Sequence, residues 1–308
     1  MAQLVSLDSV VHNPDTVLTV GTFDGVHEGH KALIQRIVDV AKAENKRSMV
    51  VSFDPHPRDI LQPGNQGIQL LTTLDERAAM LSDLGVDQLV VIPFTRDFSL
   101  LSSEEFIRDI LWNRIGMSHI IIGYDHHFGR NREGGIATLR QMGQDMGFIV
   151  ESVEKQDIGN MTVSSTAARK ALKEDGDVSR VASYLGRGYE LTGTVVHGQK
   201  RGRILGFPTA NLRLHDARKI VPKTGVYAVD VHYGSDVWRG MLNIGTRPTF
   251  TDKNGQTIEV HLIGFDGDLY GQQLTVRFIQ RIRDERPFDG MEALKTQLMD
   301  DRTVCESL

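Results

Sequence analysis

The residues best suited to chemistry gather in a few short stretches. Gly21-Thr22-Phe23-Asp24-Gly25-Val26-His27-Glu28-Gly29-His30 sets two imidazoles three positions apart among glycines. If a helix has begun by His27, the two rings share a face, and such a start suits a polyphosphate. Taken alone, His-x-x-His is more often a glycine turn with exposed histidines. As a zinc site it is thin, because it lacks sulfur or carboxylate support. Val163-Ser164-Ser165-Thr166-Ala167-Ala168-Arg169 offers hydroxyls, helix-start N–H groups and a permanent cation to phosphate oxygens. By itself Ser-Ser-Thr before a helix is most often a cap. A third stretch runs from Gly193 to Asn211 and contains Gly198-Gln199-Lys200-Arg201-Gly202-Arg203 and Gly206-Phe207-Pro208-Thr209-Ala210-Asn211. Its loop N–H groups and basic side chains suit phosphate. It is not a Walker loop, since no G-x-x-x-x-G-K-[ST] occurs, and the sole G-x-G (Gly186, Gly188) lacks its third glycine.

The elements that must carry these stretches fall into two textures. Up to about residue 150, apolar runs alternate with helical stripes. The strands are read over Val17–Phe23, Ser48–Phe53, Gln88–Ile92, His119–Gly123 and Phe148–Val153. The helices are read over Lys31–Ala43, Thr73–Leu84 (Thr73 and Glu76 forming a capping box), Ser103–Ile115, Gly134–Gly147, Thr166–Glu174 and Val178–Leu185. Alternation with continuous apolar strands means a parallel sheet covered on both faces. After Gly186-Arg187-Gly188 the runs become strand-like: Leu191–His197, Val226–Tyr233, Val237–Ile244, Thr257–Phe265 and Leu274–Ile282. A terminal helix is read over Met291–Met299. The expectation is a Rossmann-like α/β domain over residues 1–186 and a small antiparallel β-barrel with a terminal helix over 187–308.

Composition narrows the class. The 308 residues are 24% charged and 40% hydrophobic, which excludes wholesale disorder, collagen and coiled coil. The net charge of −5 argues against a dedicated nucleic-acid or membrane-surface binder. With one cysteine, Cys305, there is no intrachain disulfide and no cysteine zinc cluster, which suits a reducing compartment. No basic leader precedes Lys31 and no apolar run approaches the ~20 residues of a membrane helix, so a cytoplasmic protein is expected.

The histidine stretch resembles the first signature of the nucleotidyltransferase superfamily, and Val163–Arg169 resembles its second, I-S-S-T-x-x-R. Ser52-Phe53-Asp54-Pro55-His56-Pro57-Arg58 and Gly123-Tyr124-Asp125-His126-His127-Phe128-Gly129-Arg130 extend the likeness to the FMN adenylyltransferase module of the prokaryotic bifunctional FAD synthetases. That family often has an aromatic where His126 stands and a bulkier pair at Ala167-Ala168. The resemblance assigns Gly21, Phe23, Asp24, His27, His30, Ser165, Thr166 and Arg169 to the nucleotide, with His27, His30 and Arg169 catalytic. It assigns Phe53, Pro55, His56, Pro57, Arg58 and Asp125 to the flavin or its phosphate.

The glycine-rich stretch closely resembles the riboflavin kinase signature. Further matches follow in order: Pro222–Ala228, Asn243–Phe250, Glu259-Val260-His261-Leu262, Phe265–Gly271 and Arg283–Phe288. This resemblance implies nucleotide contacts from Gly198, Lys200, Gly202, Arg203, Gly206, Pro208, Thr209 and Asn211, with Mg²⁺ on Thr209 and Asn211. It implies Glu259 as the base for the ribityl hydroxyl, and Arg283, Glu285 and Phe288 near the flavin. Together the two halves imply an enzyme that makes FMN from riboflavin and ATP, then FAD from FMN and ATP. The expected partners are those small molecules, without nucleic acid or membrane, in a monomer or weak homo-oligomer. Against this stand a nucleotidyltransferase with another acceptor, which leaves the second half idle, a non-catalytic flavin carrier, and an RNA-binding regulator, which the acidic charge disfavours.

Overall fold

The computed structural model describes residues 2–62, 67–124, 126–154, 157–158, 161–198, 202, 205–246 and 256–308. Contacts divide the chain into two units, Met1–Ser165 and Thr166–Leu308.

In the first unit, β1 (Gln3–Ser6), β2 (Thr16–Val20), β3 (Arg47–Asp54), β4 (Gln88–Pro93), β5 (Met117–Gly123) and β6 (Ile149–Val153) form one sheet ordered β1-β4-β3-β2-β5-β6. Every neighbouring pair is parallel. β2 is buried along its whole length, as its unbroken apolar run requires. α1 (Glu28–Ala43) covers one face and buries Leu33, Ile34, Ile37, Val38 and Ala41, the stripe legible from its spacing. α3 (Leu74–Asp83), which follows the short α2 (Pro57–Leu61), starts at the expected Thr73–Glu76 capping box. After Ser102, which caps α4 (Ser103–Glu105), the helix widens into a π-helical stretch over Phe106–Ile115. α5 (Ile136–Met146) precedes β6, and after β6 the two-residue strands β7 (Asp157–Ile158) and β8 (Met161–Thr162) pair antiparallel.

The order of strands locates the ligand edge. From β2 the chain steps through β3 to β4 on one side, then returns to place β5 and β6 on the other. The switch lies between β2 and β5, and in open α/β sheets ligands bind at that crevice, outside the strands' carboxyl ends. The histidine stretch leaves β2 there. The Pro55–Arg58 stretch leaves β3, and the Tyr124–Arg130 stretch leaves β5, at the same edge.

The second unit is a closed antiparallel barrel ordered β10-β13-β12-β11-β14-β9. Its strands are β9 (Glu190–Val196), β10 (Ala210–Leu214), β11 (Gly225–Tyr233), β12 (Asp236–Thr246), β13 (Gln256–Leu262) and β14 (Gln273–Arg283). β10 is absent from the strands that the sequence pattern predicts, its five residues being a short run beside Pro208. Pairing with both β13 and β9, it closes the barrel and leaves no exposed edge. By contacts, the helical stretch from Thr166 to Leu185, which takes in most of α6 (Ser165–Lys170), groups with this unit. Ser179 Oγ donates to the Ile279 carbonyl at 3.1 Å, the Lys223 N–H donates to the Leu172 carbonyl at 2.9 Å, and Val178, Val181, Tyr184 and Leu185 of α7 (Val178–Leu185) are buried. The terminal helix runs over Met291–Ser307, longer than its apolar pattern indicated.

Away from the ligand edge, His119 sits in β5 between Val17 of β2 and Ile149 of β6. Its ring is buried, and neither nitrogen has a hydrogen-bond partner among the described residues. Desolvation holds its pKa below 6.5 despite the opposing pull of Glu151 and Glu44, with Glu151 Oε2 3.9 Å away. The unfolded chain therefore binds a proton at His119 below about 6.5 that the folded chain does not, and stability falls as pH drops through that window. With Trp112 kept as the reporter by Trp238→Phe, the urea midpoint should fall between pH 7.5 and 5.5. Adding His119→Gln should reduce that fall.

Candidate functional sites

The loop that leaves β2 is held in an unfavourable shape. Phe23, Gly25 and Val26 all have positive φ, at 47°, 88° and 40°. For Val26, β-branched, this conformation costs on the order of 1–3 kcal/mol and persists only where the surroundings over-determine it. Asp24 supplies that determination. It is fully buried, and its carboxylate accepts from the N–H groups of Leu71 (3.0 Å) and Thr72 (2.8 Å) and from Thr72 Oγ1 (3.0 Å). Thr72 Oγ1 in turn accepts from the Gly25 N–H at 2.9 Å. Arg77, also buried, lies 3.6 Å from Asp24 Oδ1 and donates to Ser52 Oγ and to the Thr72 carbonyl. The Asp24 carbonyl accepts from Ser165 Oγ at 2.8 Å, so the two signatures of this unit meet at Asp24. Its carboxylate is thus committed within the protein rather than turned to a ligand.

His27 caps α1, its Nδ1 accepting from the His30 N–H at 3.3 Å. The two rings stack at 3.5 Å between centroids, and His30 packs edge-on against Phe23. His30 Nδ1 is buried without a hydrogen-bond partner among the described residues. Desolvation first, then His27 and Arg77, hold the His30 pKa well below 6.5. The ring is neutral at pH 7 and able to donate one hydrogen bond.

At the same edge Phe53 joins an aromatic group that sequence reasoning missed. Phe94 and Phe98 lie 5.6 and 5.9 Å from it, Phe106 lies 6.4 Å from it, and Phe128 lies 6.1 Å from Phe106. These residues are scattered along the sequence and only the sheet's return brings them together. His126, which stands where the family often has an aromatic, stacks on Phe128. His56 caps α2 by accepting from the Arg58 N–H, and Arg58 is exposed. Thr166 and Arg169 lie on the helix that begins at Ser165, Thr166 exposed and Arg169 half-buried. Asp125, Lys200, Arg203 and the 247–250 part of the kinase-like motif lie outside the described residues.

In the barrel unit, Asn211 of β10 pairs with Glu259 of β13, and Thr209 Oγ1 lies 3.4 Å from Glu259 Oε2. His261, on the same face as Glu259, donates from Nδ1 to the Pro208 carbonyl at 2.8 Å and packs against Phe207. Phe-Pro-Thr is thereby fixed from β13. Gly198 lies against Asn211: a Cβ there would stand 2.2 Å from the carboxamide nitrogen. At Gly202 a Cβ would meet the Phe207 carbonyl at 2.2 Å, while Gly206 is exposed. Beside Thr209 opens a cavity of about 400 Å³ whose walls include Val195, Pro208, Leu262, Phe265 and Tyr270. That volume suits a small molecule.

Thr209 and Asn211 offer a hydroxyl and an amide oxygen, both hard donors. Mg²⁺ takes few protein oxygens and fills its octahedron with phosphates and water, so this donor set fits it. Arg283 makes a bidentate pair with the buried Asp301 of the terminal helix, at 2.7–3.1 Å, and its guanidinium lies over Phe288. Asp301 is a second residue the sequence did not reveal. Glu285 is exposed and lies close over Gly245.

A family model described as FAD synthetase matches residues 10–167, and one described as riboflavin kinase matches residues 185–308. The chain is similar to the bifunctional riboflavin kinase/FMN adenylyltransferase of Pseudomonas fluorescens, 40% identical over 292 residues that cover 95% of this chain and 92% of the relative. It is 38% identical to the Escherichia coli K12 protein of the same description over 286 residues, 92% of this chain and 90% of that one. Among solved structures, one described as a macrolide-efflux protein from Streptococcus pneumoniae matches at a TM-score of 0.90 and 29% identity, over 99% of both chains. Among the described residues, no helix here is long and apolar enough to cross a membrane.

Asp301→Ala leaves the Arg283 guanidinium with its charge unmatched. The expected loss is about 3 kcal/mol of barrel stability, the lower end for a buried pair because Arg283 keeps some exposure. Urea unfolding followed at Trp238 in a Trp112→Phe background measures it.

Proposed function

This chain belongs to the bifunctional riboflavin kinase/FMN adenylyltransferase family, and on that footing we propose how its residues share the two reactions. The chain converts riboflavin and ATP to FMN and ADP, and FMN and ATP to FAD and pyrophosphate. We assign the first reaction to residues 187–308 and the second to residues 1–186. The observation that carries this division is that the two sets of motifs lie in different folds, one beside the β2/β5 switch and one beside the barrel cavity.

In phosphorylation the riboflavin 5′-hydroxyl attacks the γ-phosphorus of ATP, the bond to the bridging oxygen breaks, and ADP leaves. A primary alcohol is a poor nucleophile, and Glu259 takes its proton. Thr209 and Asn211 hold Mg²⁺, which neutralises phosphate charge when bound. Gly198, Gly202 and Gly206 let the loop approach the nucleotide, with Lys200 and Arg203 supplying cations. Arg283, Glu285 and Phe288 border the flavin, Arg283 through its hold on Phe288.

In adenylylation a phosphate oxygen of FMN attacks the α-phosphorus of ATP and pyrophosphate departs. The nucleophile is already anionic, so no base is needed. Catalysis is positioning and charge neutralisation. His27 and His30 donate to the ATP phosphates, and Ser165, Thr166 and Arg169 hold the triphosphate side. The backbone at Gly21 and Phe23 shapes the nucleotide pocket. Phe53 with its aromatic neighbours, the Pro55–Arg58 segment (Pro55, His56, Pro57, Arg58) and Asp125 receive the flavin and its phosphate. The enzyme works in the cytoplasm, as a monomer or weak homo-oligomer, with the Cys305 thiol buried and its pKa pushed up to about 11 by desolvation.

Chromatography of pure protein with riboflavin, ATP and Mg²⁺ tests the whole reading. FMN should appear first and FAD after it, and chelation of the metal should stop the first step until Mg²⁺ is restored. Glu259→Gln should lower FMN formation about 10²–10⁴-fold while added FMN is still adenylylated. His27→Ala with His30→Ala should do the reverse. Loss of both activities in either folded variant contradicts two separate sites. Gly198→Ala should displace the Asn211 carboxamide and lower FMN formation alone.

A further inference from the structure

We propose that Arg77 is a positioning residue for adenylyl transfer, fixing through Asp24 the shape of the loop that presents His27 and His30. The inference rests on the adenylyl-transfer reading of that loop.

Three observations carry it. The first is strain. Phe23 and Val26 flank Asp24 and Gly25 in left-handed conformations that the loop would not adopt unaided. The second is the anchoring of Asp24. Its carboxylate meets the Leu71 and Thr72 N–H groups, the Thr72 hydroxyl and the Arg77 guanidinium, all in a buried setting. A buried carboxylate keeps one orientation only while its charge is matched. With Arg77 gone, Asp24 must either take up a proton, giving up one acceptor position, or turn toward water.

The third is reach. Arg77 donates to Ser52 Oγ, which donates to the Thr22 carbonyl, so the same guanidinium touches both the end of β3 and the start of the histidine loop. Thr72 Oγ1 relays between Asp24 and the Gly25 N–H, and Ser165 Oγ binds the Asp24 carbonyl. The histidine loop, the start of α3 and Ser165 are thereby tied through one ion pair. Arg77 is held back in the protein, and its action on the reaction passes through these neighbours.

The test uses the full chain, with FMN formation by the same polypeptide as the internal reference. Arg77→Met should lower kcat for FAD formation about 100-fold, the scale of an ångström-sized misplacement. KM for ATP and FMN should stay within about threefold, since the substrate contacts survive. Arg77→Lys, which keeps the charge beside Asp24, should recover most of the lost kcat, and FMN formation should be unchanged in both. A folded Arg77→Met chain with normal kcat, or a loss that Arg77→Lys leaves untouched, overturns the proposal. If Arg77→Met does not fold, Thr72→Val decides, because it cuts the relay and spares the charge. A kcat reduced about tenfold at unchanged KM supports positioning, and a normal kcat overturns it. If the unaltered chain makes no FAD from FMN and ATP, the adenylyl-transfer reading itself has failed.

Discussion

A carboxylate buried in protein is tolerated only where its charge is matched and its lone pairs are filled, and that requirement freezes whatever it touches. Among the described residues each unit of this chain contains one fully buried carboxylate. Asp24 is fully buried and met by Arg77, Thr72 and two backbone N–H groups. Asp301 is 1% exposed and met by Arg283, with Gln297 on its Oδ1. Neither pair is a strong source of net stability, because desolvation consumes most of the Coulombic gain. What each yields is a single permitted arrangement: a strained loop in one unit, and the 283–288 segment tied to the terminal helix in the other.

Rigidity of this kind matters because phosphorus transfer asks little covalent work of a protein. Its demands are alignment and neutralisation of charge, and both are lost when a donor drifts by an ångström. The groups offered are short: imidazoles on the first turn of α1, a hydroxyl and a carboxamide bracketing the start of β10, a carboxylate on β13. Strand ends and first turns hold such side chains more tightly than long loops do, and short side chains surrender little entropy when they are fixed.

Much of this was legible in the sequence, for local reasons. The α1 stripe, the Thr73–Glu76 capping box and the unbroken apolar strands are patterns written within a dozen residues, and each appears as an element of the stated type. Less was legible where the cause is tertiary. β10 is a strand because β9 and β13 lie on either side of it, although its own short run beside Pro208 does not announce one. Asp24 sits in a motif suggestive of ligand contact, yet its partners Leu71, Thr72 and Arg77 are some 50 residues away, so nothing local announces its burial. The phenylalanine group at the sheet edge is dispersed from Phe53 to Phe128 in the same way.

The two sites also differ in their use of protons, and the difference follows from the nucleophiles. An alcohol must lose a proton as it attacks, which is the role proposed for Glu259, whose Oε2 lies 3.4 Å from Thr209 Oγ1. A phosphate monoester arrives already ionised, and a base beside it would only add negative charge to a crowded anionic centre. On the assignment proposed above the chain sets the opposite there: two stacked imidazoles, with burial first and then His27 and Arg77 disfavouring protonation of His30. A neutral ring donates one directed hydrogen bond and does not clamp the departing pyrophosphate with a full charge.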